Sequence, residues 1–346
     1  MVYVYSQLST LQKYSEKTLS IDKISQALID MGMDLKGMSE GDDPELKIEI
    51  TAERVDLISS VGIANAINAY LELCEPEVEI PITTGTQRVI VEESVKSVRP
   101  KTCAMIVKDL DLTQELLDEI ITIQEKIHES FGRHRKKGAI GIYPLEHIKF
   151  PIYYRALKPQ EIKFRPLESE EVMRGDEIIT THPTGKKYAH LLEGYEKYPI
   201  FIDSNNNILS LPPLINSHTT GRVELHHHDL FVEVSGHNEV HLNAILLTLA
   251  QVFHSFGAQI ESLNVEHKSD NYTYSLNSSP STKVISVKYI NSLMGVELST
   301  DEIVKLSKKM MYHATKVDKD SIEFTIPAYK FDVWSACDIV DDIARA

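Results

Sequence analysis

The pattern of apolar and polar positions predicts a central region, residues 88–275, that mixes strands with helices. Short apolar runs of the kind found in strands are Val89–Val91, Ala104–Val107, Ala139–Ile142, Ile152–Tyr154, Tyr198–Ile202, Asn207–Ser210 and Leu230–Val234. Helical spacing of apolar residues predicts an amphipathic helix at Glu115–Glu129. A largely apolar helix is expected at Val240–Phe256, ended by Gly257. We therefore expect an α+β domain built on a mixed sheet.

The two ends of the chain resemble each other. The matching segments are Leu19–Ile24 with Leu298–Ile303, Ile48–Thr51 with Ile322–Thr325, and Arg54–Leu57 with Lys330–Val333. Each copy then runs into a helical pattern, Ser60–Leu71 in the first and Ser335–Ala346 in the second. We interpret this as one helix–strand–helix unit used twice, near residues 1–85 and 283–346. The predicted fold class is therefore α+β and multidomain, with two similar small domains flanking the mixed sheet.

Composition limits the class of protein. The 346 residues, 42% hydrophobic and 25% charged, are typical of a soluble chain with two or three domains. No apolar run approaches the ~20 residues that span a bilayer, and no secretory signal is visible. Cys74, Cys103 and Cys337 form no CxxC pair. We expect a cytoplasmic protein with no membrane association, disulfide framework or zinc knuckle.

A net charge of −15 argues against a general nucleic-acid coat, because phosphate neutralisation needs Lys and Arg. Arg133–Lys137 is the densest basic run in this acidic chain. Two interpretations of the run stay open at this point, a solvated helix end and a contact with RNA phosphates.

Four aspartates gather near the end of the second repeat: Asp332, Asp338, Asp341 and Asp342. The last three share a helix face, so we expect them to converge, with Asp332 folded over them. Carboxylate oxygens suit Mg²⁺. The first repeat has Gly62, Asn65 and Ala66 at the three helical positions, so the unit folds without these acids. A metal or charged-partner role and a solvated acidic face are equally favoured by the residues alone.

Three consecutive histidines, His226–His228, precede the strand-like run at Leu230. On an extended segment His226 and His228 share a face beside Asp229, and two such histidines can bind zinc. A third ligand is missing from the pattern. A polar turn is therefore the favoured interpretation.

Six segments resemble, in the same order, the beta subunits of archaeal and eukaryotic-type phenylalanyl-tRNA synthetases. They are Thr51–Asp56, Gly138–Gly141, Ile208–Asn216, Phe231–Gly236, Pro327–Asp332 and Ala336–Arg345. The resemblance spans essentially the whole chain. It implies an N-terminal α/β domain at 1–85, an editing domain at 88–275 and a winged-helix-like domain at 283–346. It also implies that such a subunit continues past Ala346 into further domains.

The resemblance further implies a heterotetramer of two alpha and two beta chains that charges tRNA(Phe). The alpha subunit would hold ATP and phenylalanine, so the ligation site would lie outside this chain. By position, Asp332, Asp338, Asp341 and Asp342 would bind a Mg²⁺ ion shared with alpha. Lys330 stands where the family usually has Arg, which removes a bidentate fork.

The editing function implied by the resemblance would explain the middle domain as a second site that removes a wrongly attached amino acid from tRNA. A pocket for phenylalanine discriminates against tyrosine only by roughly 10², because the competitor merely adds a hydroxyl. A second site that hydrolyses tyrosyl-tRNA would have to recognise the phenol. Glu233 is our candidate reader of that hydroxyl, and Ser235 shares its strand face. By resemblance, Phe201 and Ser210 line the same pocket.

Two other functions remain as alternatives. The chain could be a non-catalytic scaffold whose repeats bind the alpha subunit and tRNA, with an inert middle domain. A weaker alternative is a metal-dependent hydrolase that uses the segment His226–Asp229.

Overall fold

The computed structural model describes residues 2–346, which form two compact units. One unit comprises residues 81–277, and the other joins the residues up to 80 with residues 278–346. None of the helices described is both long and apolar enough to traverse a bilayer. The α+β class is confirmed, whereas the three-domain division stays a prediction.

The N-terminal module is a three-stranded antiparallel sheet with helices. Its elements are β1 (Val2–Gln7), α1 (Leu8–Tyr14), α2 (Ile21–Asp30), β2 (Asp34–Met38), β3 (Glu45–Ile50) and α3 (Ser60–Tyr70). The sheet order is β1-β3-β2. Leu46, Ile48 and Ile50 of the middle strand are buried, because alternate residues of a strand point to one face. Ser20 and Ser59 begin α2 and α3 by accepting backbone N–H groups.

The central unit is built on a ten-stranded sheet. Its strands are β4 (Ile82–Val91), β5 (Lys101–Lys108), β6 (Gly138–Pro144), β7 (Ile152–Leu157), β10 (Tyr198–Ile202), β11 (Ile208–Leu211), β12 (Ile215–Asn216), β13 (Leu230–Gly236), β14 (Gln259–His267) and β15 (Tyr272–Tyr274). The short strands β8 (Lys163–Phe164) and β9 (Met173–Arg174) pair separately. The helices are α4 (Gln114–Glu129), α5 (Gly175–Thr181), α6 (Pro183–Tyr188), α7 (His218–Gly221) and α8 (Glu239–Ser255).

The order of the large sheet is β12-β11-β10-β7-β4-β14-β5-β13-β6, with β15 beside β14. β4 runs parallel to β7 and β14, while the other pairs are antiparallel. The predicted mixed sheet is thus confirmed, as are the predicted strands and the two long helices. β14 was not predicted, although it connects the two halves of the sheet.

The C-terminal module repeats the N-terminal one. Its elements are β16 (Ser281–Ser286), α9 (Val287–Met294), α10 (Thr300–Lys309), β17 (His313–Lys316), β18 (Ser321–Ile326) and α11 (Ala336–Arg345), and its sheet order is β16-β18-β17. Both modules therefore follow the order β-α-α-β-β-α. The predicted helix–strand–helix unit corresponds to the second helix, the last strand and the final helix of this motif. The leading strand and helix, and the strand before the hairpin turn, were missed.

Candidate functional site

A cavity of about 380 Å³ lies beside β13 in the central unit. Its wall contains Glu233 from β13 and Ser210 from β11, so two of the four residues predicted for a pocket do line one. Apolar side chains of α4 and β6 supply much of the remaining wall, among them Ile120 and Ile142. A mostly apolar cavity with a few polar groups is what binding sites for small aromatic groups require.

Glu233 is the buried carboxylate of this cavity and is 2% exposed. β13 pairs on both sides, which sets Glu233 opposite Ala104 of β5 and Gly141 of β6. Of the two carboxylate oxygens of Glu233, Oε2 is buried and has no hydrogen-bond partner among residues 2–346. Burial raises the pKa of Glu233 to about 8, against the opposing effects of Tyr143 and Arg99.

Tyr143, which sequence reasoning missed, connects Glu233 with Ser210. Its phenol oxygen lies 2.7 Å from Ser210 Oγ and 3.1 Å from Glu233 Oε1. One phenol proton cannot serve both acceptors. When Glu233 is ionised, the phenol therefore donates to the carboxylate, and the Ser210 hydroxyl donates to the phenol oxygen. A side chain at Gly141 would overlap both the Tyr143 hydroxyl and the Glu233 carboxylate, so only glycine leaves this arrangement room.

Phe201 and Ser235 lie behind the cavity wall rather than in it. Phe201 is fully buried and stacks on Tyr154 with ring centroids 4.3 Å apart, and its backbone pairs with Ser210. Ser235 Oγ accepts a hydrogen bond of 3.1 Å from Arg99 Nε. Both residues thus support the neighbours of the cavity, and their predicted contact with a substrate stays a prediction.

In the terminal unit, two of the four predicted aspartates meet around Lys330. Lys330 Nζ lies 3.0 Å from Asp342 Oδ2 and 3.8 Å from Asp332 Oδ2, and Tyr312 donates a 2.5 Å hydrogen bond to Asp342. Arg54 Nε lies 3.7 Å from Asp332. Burial opposes ionisation of Asp342, yet Lys330 and Arg54 lower its pKa below the ordinary value. Burial raises the pKa of Asp332.

The other two aspartates have separate partners. Asp338 Oδ2 accepts the backbone N–H groups of Trp334 and Ser335, at 2.8 and 2.6 Å, and so caps α11. Asp341 is 62% exposed and pairs with Arg345 at 2.8 Å. The expected convergence of all four is therefore wrong as geometry, because the capping position and an internal lysine take up two of them. Among the oxygens of these four aspartates, only Asp332 Oδ1 is buried without a hydrogen-bond partner in residues 2–346, and it could accept a further cation.

Within residues 2–346, one group of three potential metal ligands brings its ligand atoms within 4.8 Å of one another: Glu146, His226 and His227. His227 Nδ1 accepts the backbone N–H of Glu224 at 2.8 Å, so the proton of the neutral ring is on Nε2. That nitrogen lies 3.3 Å from Glu146 Oε1. A metal would have to displace this proton. His228 is outside the group and lies 3.0 Å from the Leu110 carbonyl oxygen.

Comparison with known proteins identifies relatives over the whole chain. The family model described as the tRNA synthetase B5 domain matches residues 284–346. The chain is 32% identical to the phenylalanine--tRNA ligase beta subunit of Methanothrix thermoacetophila over 98% of its length, and 36% identical to that of Thermococcus sibiricus over 85%. It spans 63% and 52% of those two proteins. A crystal structure of an N-terminal fragment of the phenylalanyl-tRNA synthetase beta-subunit from Pyrococcus horikoshii matches with a TM-score of 0.94 and 31% identity, over 99% of both chains.

Replacing Lys330 by Met should destabilise the terminal unit by about 3–5 kcal/mol, because Asp342 would keep a buried charge without its cation. Adding Asp342→Asn should recover part of the loss. Urea unfolding measures both effects. The control Lys319→Met, at a side chain 90% exposed, should change stability by no more than about 0.5 kcal/mol. A similar loss of stability in Lys330→Met and Lys319→Met would contradict the stabilising pair of Lys330 with Asp342.

The raised pKa of Glu233 leads to a second prediction, which concerns how stability changes with pH. Between pH 4.5, which is the ordinary pKa of this side chain, and about pH 8, Glu233 keeps a proton in the folded chain that it has released in the unfolded chain. This contribution to stability is complete below 4.5 and is lost as the pH rises towards 8. The advantage of wild type over Glu233→Gln should therefore shrink between pH 5 and 8.5, as measured by calorimetric Tm. The exposed Glu196→Gln control should show no such trend.

Proposed function

The chain belongs to the phenylalanyl-tRNA synthetase beta-subunit family, and from this premise we propose that its central unit hydrolyses tyrosyl-tRNA(Phe). The observation that supports this most directly is the unpartnered Glu233 Oε2 in a largely apolar cavity. A tyrosine ring placed there can donate its phenol proton to that oxygen. A phenylalanine ring has no donor to offer.

Discrimination follows from the energetics of burial. A buried polar group without a partner costs about 1–3 kcal/mol, and more when it is charged. A tyrosyl group relieves that cost at Glu233, whereas a phenylalanyl group leaves it in place. Tyr143, which is itself hydrogen-bonded to Ser210, holds the other carboxylate oxygen, so Oε2 needs no reorientation when the substrate enters.

Hydrolysis itself requires only a water molecule and a polarised ester. We propose that a water positioned in the cavity, assisted by a hydroxyl of the terminal ribose, attacks the ester carbonyl carbon. The bond from that carbon to the ribose oxygen then breaks, which releases tyrosine and tRNA with a free terminal hydroxyl. In this scheme Glu233 binds the side chain of the substrate and takes no proton from the water.

The terminal unit would serve assembly. We propose that it packs on the alpha subunit in a cytoplasmic alpha₂beta₂ synthetase, where alpha binds ATP and phenylalanine. Asp332, with its unpaired oxygen, and the exposed Asp341 are the carboxylates best placed to contribute to a Mg²⁺ ion shared with alpha. Mg²⁺ would supply positive charge to offset these acids. Asp338 and Asp342 already have partners within the chain and fit this role less well.

Glu233→Ala should lower hydrolysis of tyrosyl-tRNA(Phe) by roughly 100-fold or more, because the phenol loses its acceptor. The measurement is release of labelled tyrosine by the chain and by the assembled synthetase. His226→Ala, which removes an exposed member of the group formed by Glu146, His226 and His227, should keep wild-type activity. If His226→Ala abolished hydrolysis and Glu233→Ala did not, the metal-dependent alternative would replace this proposal. Absence of hydrolysis in both wild-type forms would favour the scaffold.

Asp341→Asn should raise the Mg²⁺ concentration needed for assembly with alpha by roughly 10-fold, because one carboxylate of the shared shell is lost. Its thermal stability should be unchanged, since within residues 2–346 the side chain of Asp341 forms an ion pair with exposed Arg345 alone. Sedimentation of the alpha and beta chains across a Mg²⁺ titration measures this. Asp320→Asn, an exposed acid in the same module, is the matched control. If Asp341→Asn and Asp320→Asn assembled with alpha at the same Mg²⁺ concentration, this would contradict a role of Asp341 in the shared Mg²⁺ site.

A further inference from the structure

The segment between α4 and β6 contains a strained turn. Arg133, His134 and Arg135 all have positive φ, at 48, 51 and 66°. The left-handed region costs a residue with a side chain about 1–2 kcal/mol, so three in succession persist only where the surroundings hold them. We call residues Arg133–Lys137 the basic turn.

Two arginines hold the basic turn in place. Buried Arg99 donates to the carbonyl oxygens of Arg135 and Lys136 at 3.1 and 3.4 Å, and also to Ser235 on β13. The guanidinium of Arg135 donates to the Leu214 carbonyl oxygen at 2.7 Å and to Glu125 at 2.9 Å. The backbone of the turn is therefore fixed before any ligand binds, which lowers the entropy cost of binding.

The remaining charges of the basic turn are free to act on a partner. Arg133, Lys136 and Lys137 are exposed, and no carboxylate of the described chain lies within 4 Å of their cationic groups. Buried Arg99 adds a positive charge whose hydrogen-bond acceptors are all neutral. A fixed cluster of unpaired cations in a chain of net charge −15 fits a polyanion.

The position of the turn indicates which polyanion. Arg135 lines the same cavity as Glu233, so the basic turn lies at the edge of that cavity. We propose that the basic turn binds phosphates at the acceptor end of tRNA, through Lys136, Lys137 and Arg133, while the esterified amino acid occupies the cavity. This inference rests on the proposed hydrolysis. An aminoacyl group and its RNA phosphates are covalently joined, so a cavity for one needs cations near its edge for the other.

The test compares Lys136→Gln/Lys137→Gln with the matched control Lys149→Gln/Lys197→Gln, whose exposed lysines lie elsewhere on the same unit. The readouts, in the assembled synthetase, are hydrolysis of tyrosyl-tRNA(Phe) and of 3′-O-tyrosyl-adenosine, which lacks phosphate. Filter binding of uncharged tRNA(Phe) to the chain, across a salt series, is measured separately.

We expect the turn variant to raise KM for tyrosyl-tRNA several-fold and to leave tyrosyl-adenosine hydrolysis unchanged. The slope of log K against log salt should become shallower by about 2, roughly 1 per lysine. The control should match wild type. Equal loss on both esters, no loss on either, or the same loss in the control would overturn the proposal. If wild type hydrolyses neither ester, the hydrolysis proposal fails, and an unchanged salt slope in filter binding would overturn this one as well.

Discussion

The central unit depends on how a carboxylate is kept inside a ten-stranded sheet. Glu233 lies on a strand paired on both sides, and its side chain is buried on one face of the sheet. The protein reduces the cost of burial in two ways, by a hydrogen bond from Tyr143 and by a raised pKa that favours the neutral acid. One oxygen nevertheless has no hydrogen-bond partner. Under the proposed function this deficit would make the cavity selective, because only a ligand that brings a hydroxyl, which can donate to the carboxylate or accept from the neutral acid, relieves it.

The terminal unit handles buried acids differently. Arg54 and Lys330 occupy equivalent positions in the two repeats, and each is followed two residues later by an aspartate, Asp56 or Asp332. Arg54 pairs with Asp56 at 2.8 Å and also approaches Asp332 of the other repeat. Lys330 turns towards Asp342, which has no acidic counterpart in the first repeat. Each repeat thus supplies one cation, and the cation of the second repeat pairs with an acid that the first repeat lacks.

Local pattern was enough to predict nine of the eighteen described strands, both long helices and the repeat, because these depend on periodicity along one segment. Glu233 was singled out only within the editing domain that the family resemblance implies. Tyr143 and β14 were missed because their roles depend on pairing between distant segments: Tyr143 acts through its neighbours in space, and β14 pairs with a strand more than 170 residues earlier. The aspartates show the same limit. Helical spacing placed Asp338 and Asp342 on α11 correctly, but the lysine between Asp332 and Asp342 could only be found from the fold. The capping role of Asp338 was visible in its spacing from Ser335 and was overlooked.

Arg99 connects the strand that bears Glu233 with the basic turn. One guanidinium binds both the strand that bears Glu233, at Ser235, and the backbone of the basic turn. A buried arginine without a carboxylate partner is unfavourable, and a hydrophobic residue of similar volume would cost less free energy at this position. The presence of an arginine here is explained if the turn and the strand must keep a fixed distance. The aminoacyl group and the phosphates of the acceptor end are joined by a short covalent linkage, so a site that reads a phenol in its cavity and phosphates at the cavity edge works only if these two parts of the site are held at a fixed distance.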